Sequence, residues 1–506
     1  MQTPFADLPK KIKMVAQANI LPRERQAKKL PIELSDENIQ NIFGHEAAED
    51  ESIESLKDYY FRTDIYEQVA ANLKLRILVG HKGVGKSALF KILVNNDIEN
   101  EILPIEIKPD DVIEICNMED NFLKMIREWK DGIKKIIVDK TLQSLIMNME
   151  NKNIWKKNEN IKNIISFIAD IIKPYAEKSD INKSTYENFM SNKRLNIYID
   201  DLDRGWKGTH KDIYRLSSLL NAIRDISNEN NNINFKIALR SDVYYLVRTS
   251  DESTDKIEGS VVWFTWTNHQ ILAVLAKRIL TFQGEYKSES DLLNLHQDAE
   301  RFEGRGKWEN APIHRILMSL VRKRPRDLVK LCTLAAKNAR RRHSLIIETE
   351  DFQNIFETYS TDRVQDTVNE FRSELPEIKN LLFSLKPSAK KAKKYSEGYV
   401  YETEKLLEKL SIISRRECFS FTNAPDEVAS PQKLLAFLYK IGFITARKEN
   451  KEGKIIRKTF EENKYLSDPQ MDFSFKWEVH PAYRWALEPD DFNAIYDKLD
   501  IAIEWE

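Results

Sequence analysis

The sequence is poor in the residues and segments that mark several common classes of protein. Only three cysteines occur among its 506 residues. Because Cys116, Cys332 and Cys418 lie far apart, they indicate neither a disulfide framework nor a zinc ribbon. The longest apolar stretch, residues 164–172, is interrupted by polar residues and is far shorter than the ~20 residues of a membrane helix. We therefore expect a cytoplasmic protein without a membrane-spanning segment.

Net charge is also nearly absent. The chain holds 79 Lys and Arg against 80 Asp and Glu, a formal net charge of −1, so no overall field draws it to nucleic acid or an anionic membrane. The charges are nevertheless segregated: residues 1–30 are basic, residues 33–58 hold nine acids against one lysine, and residues 321–343 hold nine Lys and Arg against one acid. This segregation predicts pairing between segments of the chain or between copies of it.

Between residues 59 and 266, short β-rich runs alternate with helical patterns, which predicts an α/β fold around a mainly parallel sheet. The predicted strands are residues 75–79, 102–107, 195–199, 235–239 and 261–266. An inserted helical block, residues 112–192, separates the second strand from the third. The sequence therefore predicts a sheet of five parallel strands with one large insertion.

Beyond residue 266 the periodicity is helical, so the fold class changes there. Residues 386–398 combine Pro, Ser and Gly with five lysines, which is the composition of a linker. Helices followed by short strands come next and predict a winged helix, with its wing around residues 451–453. We expect these domains: an N-terminal arm and acidic segment at 1–58, the α/β core at 59–266, an α-helical lid at 267–385, the linker at 386–398, and a C-terminal winged-helix domain at 399–506.

One octet carries the strongest functional signal. Residues Gly80–Ser87, GHKGVGKS, match the phosphate-binding pattern GxxxxGK[ST] between a predicted strand and a predicted helix. The glycines let backbone N–H groups surround a phosphate at the positive end of a helix. We expect Lys86 to contact the β- and γ-phosphates and Ser87 to hold Mg²⁺. The predicted nucleotide-binding residues of this loop are Gly80, His81, Lys82, Gly83, Val84, Gly85, Lys86, Ser87 and Ala88.

The octet marks residues 59–266 as a P-loop NTPase, and no guanine-reading NKxD motif occurs, which favours ATP. A second part of such a site is a carboxylate at the end of a neighbouring strand. Asp200 and Asp201 follow the third predicted strand. We expect Asp200 to orient Mg²⁺ and Asp201 to polarise the attacking water as general base. An ion pair between Asp203 and Arg204 is the ordinary explanation of the charges that follow.

Arg240 follows the next predicted strand along the chain. If that strand lies beside the acidic one, its carboxyl end places Arg240 near the γ-phosphate, where a guanidinium distinguishes ATP from ADP. The predicted catalytic residues are therefore Lys86, Asp201 and Arg240. A surface arginine is the alternative explanation for Arg240.

On these residues the chain resembles the additional-strand branch of P-loop NTPases, in particular the STAND and KAP-like ATPases of bacteria. The sequence DDLDR at 200–204 is similar to the KAP signature, and Arg240-Ser241 is similar to the STAND sensor arginine. The run from Phe43-Gly44 to Glu49, with GHKGVGKSALF, resembles a bacterial group of stand-alone P-loop ATPases that end in a winged helix.

The resemblance implies further site residues and a role. Arg324 or Arg326 would contact phosphate from the lid, although a basic helix end is the alternative. His480 would contact the β-phosphate of ADP, with Pro481 replacing the acid that usually follows. The implied role is a slow ATPase switch that controls or assembles a protein effector or oligomerises. Many relatives act in antiphage defence, which makes that role an expectation here.

Two other functions remain open. An ATP-dependent DNA-binding protein of initiator-like architecture also joins an ATPase, a lid and a winged helix, and the basic residues 321–343 or the winged helix itself would then contact DNA. A nuclease is the other alternative, because Asp97, Glu106 and Lys108 imitate a D…ExK metal site. That pattern is common by chance, and the strand that carries it already belongs to the predicted sheet. No membrane partner is expected.

Overall fold

The computed structural model describes residues 33–45, 48–100, 102–115, 121–150, 194–230, 232–250, 252–284, 313–387, 398–449, 455–463, 466 and 475–487. The predicted N-terminal arm at 1–30, most of the linker at 386–398 and the wing at 451–453 lie outside these residues. The chain divides into two compact units. The smaller unit comprises Arg62–His81 and Lys86–Phe264, and the larger unit comprises Met1–Phe61, Lys82–Gly85 and Thr265–Glu506.

The described strands form one sheet in each unit. They are β1 Leu75–Val79, β2 Leu103–Ile107, β3 Leu195–Ile199, β4 Ile233–Leu239, β5 Val261–Trp263, β6 Val400–Tyr401, β7 Ile444–Glu449, β8 Ile455–Lys458 and β9 Lys476–Val479. The smaller unit holds five parallel strands in the order β2-β3-β4-β1-β5. The larger unit holds an antiparallel sheet in the order β6-β9-β7-β8.

The described α-helices lie between and after these strands. They are α1 Asp36–Phe43, α2 Ile53–Tyr59, α3 Asp64–Ala70, α4 Lys86–Glu99, α5 Pro109–Val112, α6 Phe122–Glu150, α7 His210–Glu229, α8 Ser241–Ser250, α9 Asn268–Phe282, α10 Ile313–Leu320, α11 Pro325–Arg341, α12 Thr349–Gln353, α13 Phe356–Phe371, α14 Ile378–Phe383, α15 Thr403–Arg416, α16 Pro431–Lys440 and α17 Arg484–Leu487. Within this described set, no helix is long and apolar enough to span a bilayer.

The prediction of a five-stranded parallel sheet is confirmed. All seven residues of β4 are buried, as expected for a central strand with helices over both faces. It lies between β1 and β3. Three boundaries differ from the prediction: β2 begins at Leu103 rather than at residue 102, β4 begins at Ile233 rather than at residue 235, and β5 ends at Trp263 rather than at residue 266. The fold is an α/β P-loop NTPase core with a C-terminal helical and winged-helix part.

Apolar side chains from strands and helices form the core of the smaller unit. Ile77, Ile197 and Ile237 are fully buried, and they belong to the same core as Trp129 of α6. Helix α6 packs against α7. It is the main described part of the predicted inserted block at 112–192, whose residues 116–120 and 151–192 lie outside the described chain.

In the larger unit, the predicted lid and winged helix share packing contacts. The rings of Phe356 in α13 and Trp485 in α17 lie 4.9 Å apart, and the Ala486 N–H donates to Ser360 Oγ at 2.9 Å. The acidic N-terminal segment packs here as well, since α1 contacts α11 and Asp36 pairs with Arg340. The predicted pairing between oppositely charged segments therefore occurs within the chain.

Candidate nucleotide-binding site

The loop between β1 and α4 has the backbone shape that its glycines permit. Gly83 has φ +83° and Gly85 has φ +104°, conformations that side-chain-bearing residues rarely adopt. The Gly80 N–H donates to the carbonyl oxygen of Leu239 at 3.1 Å and extends the pairing of β1 with β4. The loop therefore begins at the carboxyl edge of the sheet, where ligands bind in open α/β sheets.

Lys86 folds back over this loop. Its ammonium donates to the carbonyl oxygens of Gly80 at 2.8 Å and His81 at 3.0 Å. The imidazole of His81 is buried and lies within hydrogen-bond distance, 3.1 Å, of Ser241 Oγ. The two bonds from Lys86 hold its charged end at the loop.

Ser87 and Asp200 meet at the first turn of α4. The Ser87 hydroxyl lies close to the Asp200 carboxylate, which accepts the Asp201 N–H at 2.9 Å. Burial raises the pKa of Asp200, and the nearby Ser87 hydroxyl opposes that rise. A hydroxyl and a carboxylate held together are oxygen ligands of the kind that Mg²⁺ takes. The predicted pair of metal-holding residues is thus brought together and fits the ion.

Asp201 occupies the turn that follows β3. Its φ is +58°, which aspartate tolerates better than most residues, and its side chain is exposed. The Arg204 N–H donates to its carbonyl oxygen at 2.8 Å and closes the turn. The structure therefore places Asp201 beside Asp200 and open to solvent.

Arg240 lies between two carboxylates. It donates to Asp242 through Nε at 3.1 Å and Nη2 at 2.6 Å, and its Nε lies 3.5 Å from Asp203. The partner of Asp203 is thus Arg240, whereas the sequence had suggested Arg204. Burial raises the pKa of Asp203, and the charges of Arg240 and Lys86 oppose that rise. Sequence analysis missed Asp242, for which the only signal is its spacing two residues after the arginine.

The middle of the loop belongs to the larger unit and contacts α11 there. A Cβ atom added to Gly83 would lie 3.2 Å from Cδ and 3.3 Å from Cβ of Arg326, so the stem of Arg326 packs on the loop. The indole of Trp266 donates to the Val84 carbonyl oxygen at 2.7 Å. No local sequence pattern had indicated Trp266.

Arg324, the other lid candidate, has different surroundings. Its side chain is only 4% exposed, and its Nη1 lies 3.9 Å from Glu370 Oε2. Burial lowers the pKa of Arg324, and the neighbouring Arg322 lowers it further. Of the two predicted lid arginines, the structure brings Arg326 to the loop.

His480 is buried in the larger unit. Its Nδ1 accepts the Ala482 N–H at 3.2 Å, and burial lowers the pKa of His480 to about 3. The imidazole is therefore neutral near neutral pH. The predicted contact with a β-phosphate would have to be a hydrogen bond from an uncharged ring.

The residues of the nuclease-like pattern do not form a metal site. Asp97 is buried and accepts hydrogen bonds from Asn196 and Tyr198, whereas Glu106 and Lys108 are exposed. Throughout the described ranges, no group of three or more His, Cys, Asp or Glu side chains could hold a metal ion. The geometry gives the nuclease alternative no support.

Comparisons with known proteins match part of the chain to a family and most of it, distantly, to solved structures. Residues 272–368, within the predicted lid, match the FunZ-associated C-terminal helical domain. No curated protein matches by sequence.

Several archaeal proteins are among the similar solved structures. Cdc6p of Pyrobaculum aerophilum is 12% identical, with 91% of this chain and 98% of that chain covered and a TM-score of 0.32. The ORC2 protein of Aeropyrum pernix, in ADPNP and ADP complexes, is 12% identical, with coverages of 96% and 97% and a TM-score of 0.37. A Walker-type ATPase of Pyrococcus abyssi is 12% identical, with coverages of 81% and 96% and a TM-score of 0.39.

Proposed function

We propose that the protein binds and hydrolyses ATP and acts as a molecular switch that controls or assembles a partner effector. The observation that carries the proposal is the Lys86 ammonium held at the loop, with Ser87 and Asp200 close together beside it. Phosphoryl transfer depends on positioned charges and metal ligands more than on covalent chemistry by the protein. The resemblance to STAND and KAP-like ATPases, and a role in antiphage defence, belong to this proposal.

Each predicted residue has a role in it. When bound, Mg²⁺·ATP supplies the phosphoanhydride that water cleaves. Lys86 and the loop N–H groups would bind the phosphates, and Ser87 and Asp200 would hold the ion. Asp201 would orient the attacking water and accept its proton. The other proposed phosphate contacts are Arg240, Arg324, Arg326 and His480.

The switch is supported by contacts of α11 within the larger unit. Its first turn places Arg326 against Gly83 of the loop, and its last turn places Arg340 against Asp36 of α1. Because a helix is a stiff element, a displacement of Arg326 by a bound phosphate would be felt at α1 as well. A nucleotide bound at the loop would in this way change the surface at α1, where we propose that an effector or a second copy binds.

Nucleotide titrations of the wild type and Lys86→Ala test the proposal. We expect the wild type to bind ATP with Mg²⁺ and release phosphate slowly, and we expect Lys86→Ala to bind at least about tenfold more weakly because a charged phosphate contact is lost. Lys135→Ala is the matched control, since Lys135 is an exposed lysine of α6 in the same unit, outside the predicted site. Equal ATP affinity in the wild type and Lys86→Ala would refute the proposed site.

ATP-dependent DNA binding is a second candidate, favoured by the exposed basic end of α11 at Lys337, Arg340 and Arg341. Several cations of residues 321–343, Arg340 among them, already have acid partners. Arg342 lies 2.6 Å from Asp351. Duplex DNA titrated at two salt concentrations decides the matter, because phosphate contacts make affinity fall steeply with salt. Binding that weakens by orders of magnitude supports this candidate, and no binding at low salt removes it.

A further inference from the structure

The face of β3 that packs on α4 is polar at three alternating positions. Asn196, Tyr198 and Asp200 share this face because successive strand residues point to opposite sides. Strands covered by helices on both faces are ordinarily apolar throughout. A polar stripe in such a place is costly unless every group finds a partner, so its partners show what it does.

All three side chains contact α4. Asp97 Oδ2, near the end of that helix, accepts from Asn196 Nδ2 at 2.7 Å and from the Tyr198 hydroxyl at 2.5 Å. The ring of Tyr198 packs edge-on against Phe90 of the same helix, with centroids 5.3 Å apart. Asp200 meets Ser87 at the start of the helix. Helix α4 therefore contacts β3, or the residue directly after it, at both of its ends.

The spacing of these contacts along the strand matches their spacing along the helix. Asp200 lies four residue steps after Asn196, a rise of about 13 Å in an extended chain. Asp97 lies ten residue steps after Ser87 in α4, a rise of about 15 Å. The network continues sideways, since Asn234 of β4 donates to Asn196 Oδ1 at 3.1 Å. Burial raises the pKa of Asp97, and the hydrogen bonds from Tyr198 and Asn196 oppose that rise. A slip of the helix along the strand would break these buried bonds.

We propose that Asp97, Tyr198 and Asn196 are positioning residues that hold α4 in the register on β3 at which Ser87 and Asp200 face one another. The inference rests on the proposed function, because this register has chemical consequences only if Ser87 and Asp200 together hold Mg²⁺ with a nucleotide. Their hydrogen bonds lie near the C-terminal end of α4, whereas Ser87 lies at its N-terminal end.

Tyr198→Phe tests the proposal, because it removes the hydroxyl and keeps the ring against Phe90. ADP affinity is measured by calorimetry in the wild type and the variant, once with Mg²⁺ and once with a chelator. We expect the affinity in chelator to be unchanged and the gain produced by Mg²⁺ to be about tenfold smaller in the variant, the size of effect found for indirect metal-site partners. This readout is independent of hydrolysis.

Tyr244→Phe is the matched control. Tyr244 is a buried tyrosine of α8 in the same unit, and its ring packs on Trp263 with centroids 5.7 Å apart. It lies outside the polar stripe, so we expect its Mg²⁺ dependence to be that of the wild type. Asp97→Asn keeps an acceptor oxygen, so its gain in ADP affinity with Mg²⁺ should be closer to that of the wild type than the gain in Asp97→Ala. This pair of variants decides the question if Tyr198→Phe does not fold.

The outcomes separate the two proposals. If the wild type binds Mg²⁺·ADP and the variants of the polar stripe gain as much ADP affinity from Mg²⁺ as the wild type does, the positioning role is overturned. The proposed function is then left intact. A wild type that binds no nucleotide overturns both.

Discussion

At the scale of single residues, two aspartates after β3 have different surroundings. Asp201 is exposed and sits next to Asp200, whereas Asp203 is half-buried and paired with Arg240. A general base must be able to reach water and take up its proton. The exposed carboxylate of Asp201 is open to water, which suits the proposed role of general base, whereas Asp203 lies against Arg240.

We therefore expect Asp201→Asn to slow phosphate release by at least about a hundredfold while nucleotide affinity is kept, the usual size of a lost general base. Asp203→Asn is the comparison, and it should slow release less because Asp242 still binds Arg240. Single-turnover hydrolysis measures both rates. A larger loss for Asp203→Asn would transfer the role of base to Asp203.

His480 makes stability depend on pH. Burial lowers the pKa of His480 to about 3 from an ordinary value of 6.5, so between these pH values the unfolded chain binds a proton that the folded chain does not. Its contribution is complete above pH 6.5 and is lost as the pH falls, by about 1.4 kcal/mol per pH unit. Urea unfolding at pH 7 and pH 5 measures how much free energy of unfolding is lost at the lower pH, and this loss should be smaller in His480→Asn than in the wild type. Equal losses in the two proteins would contradict this assignment.

At the scale of elements, α11 is fixed by charges at its first turn. Asp327 accepts from Arg322 Nε at 2.7 Å and from Arg363 Nη1 at 2.6 Å. Arg322 Nη1 also donates to the Tyr483 hydroxyl at 2.8 Å. These buried contacts join α11 to α13 and to the winged helix. We therefore expect a displacement of one of these elements to move the other two.

Removing one member of this cluster should be costly. Asp327→Asn leaves two buried guanidinium groups without their carboxylate, and we expect the free energy of unfolding of the larger unit to fall by about 3–5 kcal/mol. Lys433→Ala is the control, because its exposed pair with Glu427 is worth less than about 1 kcal/mol. Thermal or urea denaturation measures both, and equal effects would contradict the account.

Elements also show what sequence could and could not predict. The five strands and the loop were predicted because their patterns are local, and Gly83 and Gly85 occupy the backbone conformations that their identity suggested. The partners of the loop were not predicted. Trp266 meets a residue 182 positions away, and Asp97 meets a strand 99 and 101 positions away. No local period encodes such contacts.

At the scale of the whole molecule, the near-zero net charge is accompanied by local pairing of opposite charges. Within the larger unit, Lys323 lies 2.5 Å from Glu462, and Arg340 pairs with Asp36. The basic segment at 321–343 is thus partly neutralised by acids of the same chain. This arrangement leaves no overall field that would draw the chain to polyanions.

The most direct test of the switch is the size of the full chain in solution with ADP and with a non-hydrolysable ATP analogue. We expect hydrodynamic radius or mass to differ between the two nucleotides, and we expect Lys86→Ala to show no difference. Identical sizes with both nucleotides bound, or a change that occurs only when DNA is added, would contradict the account.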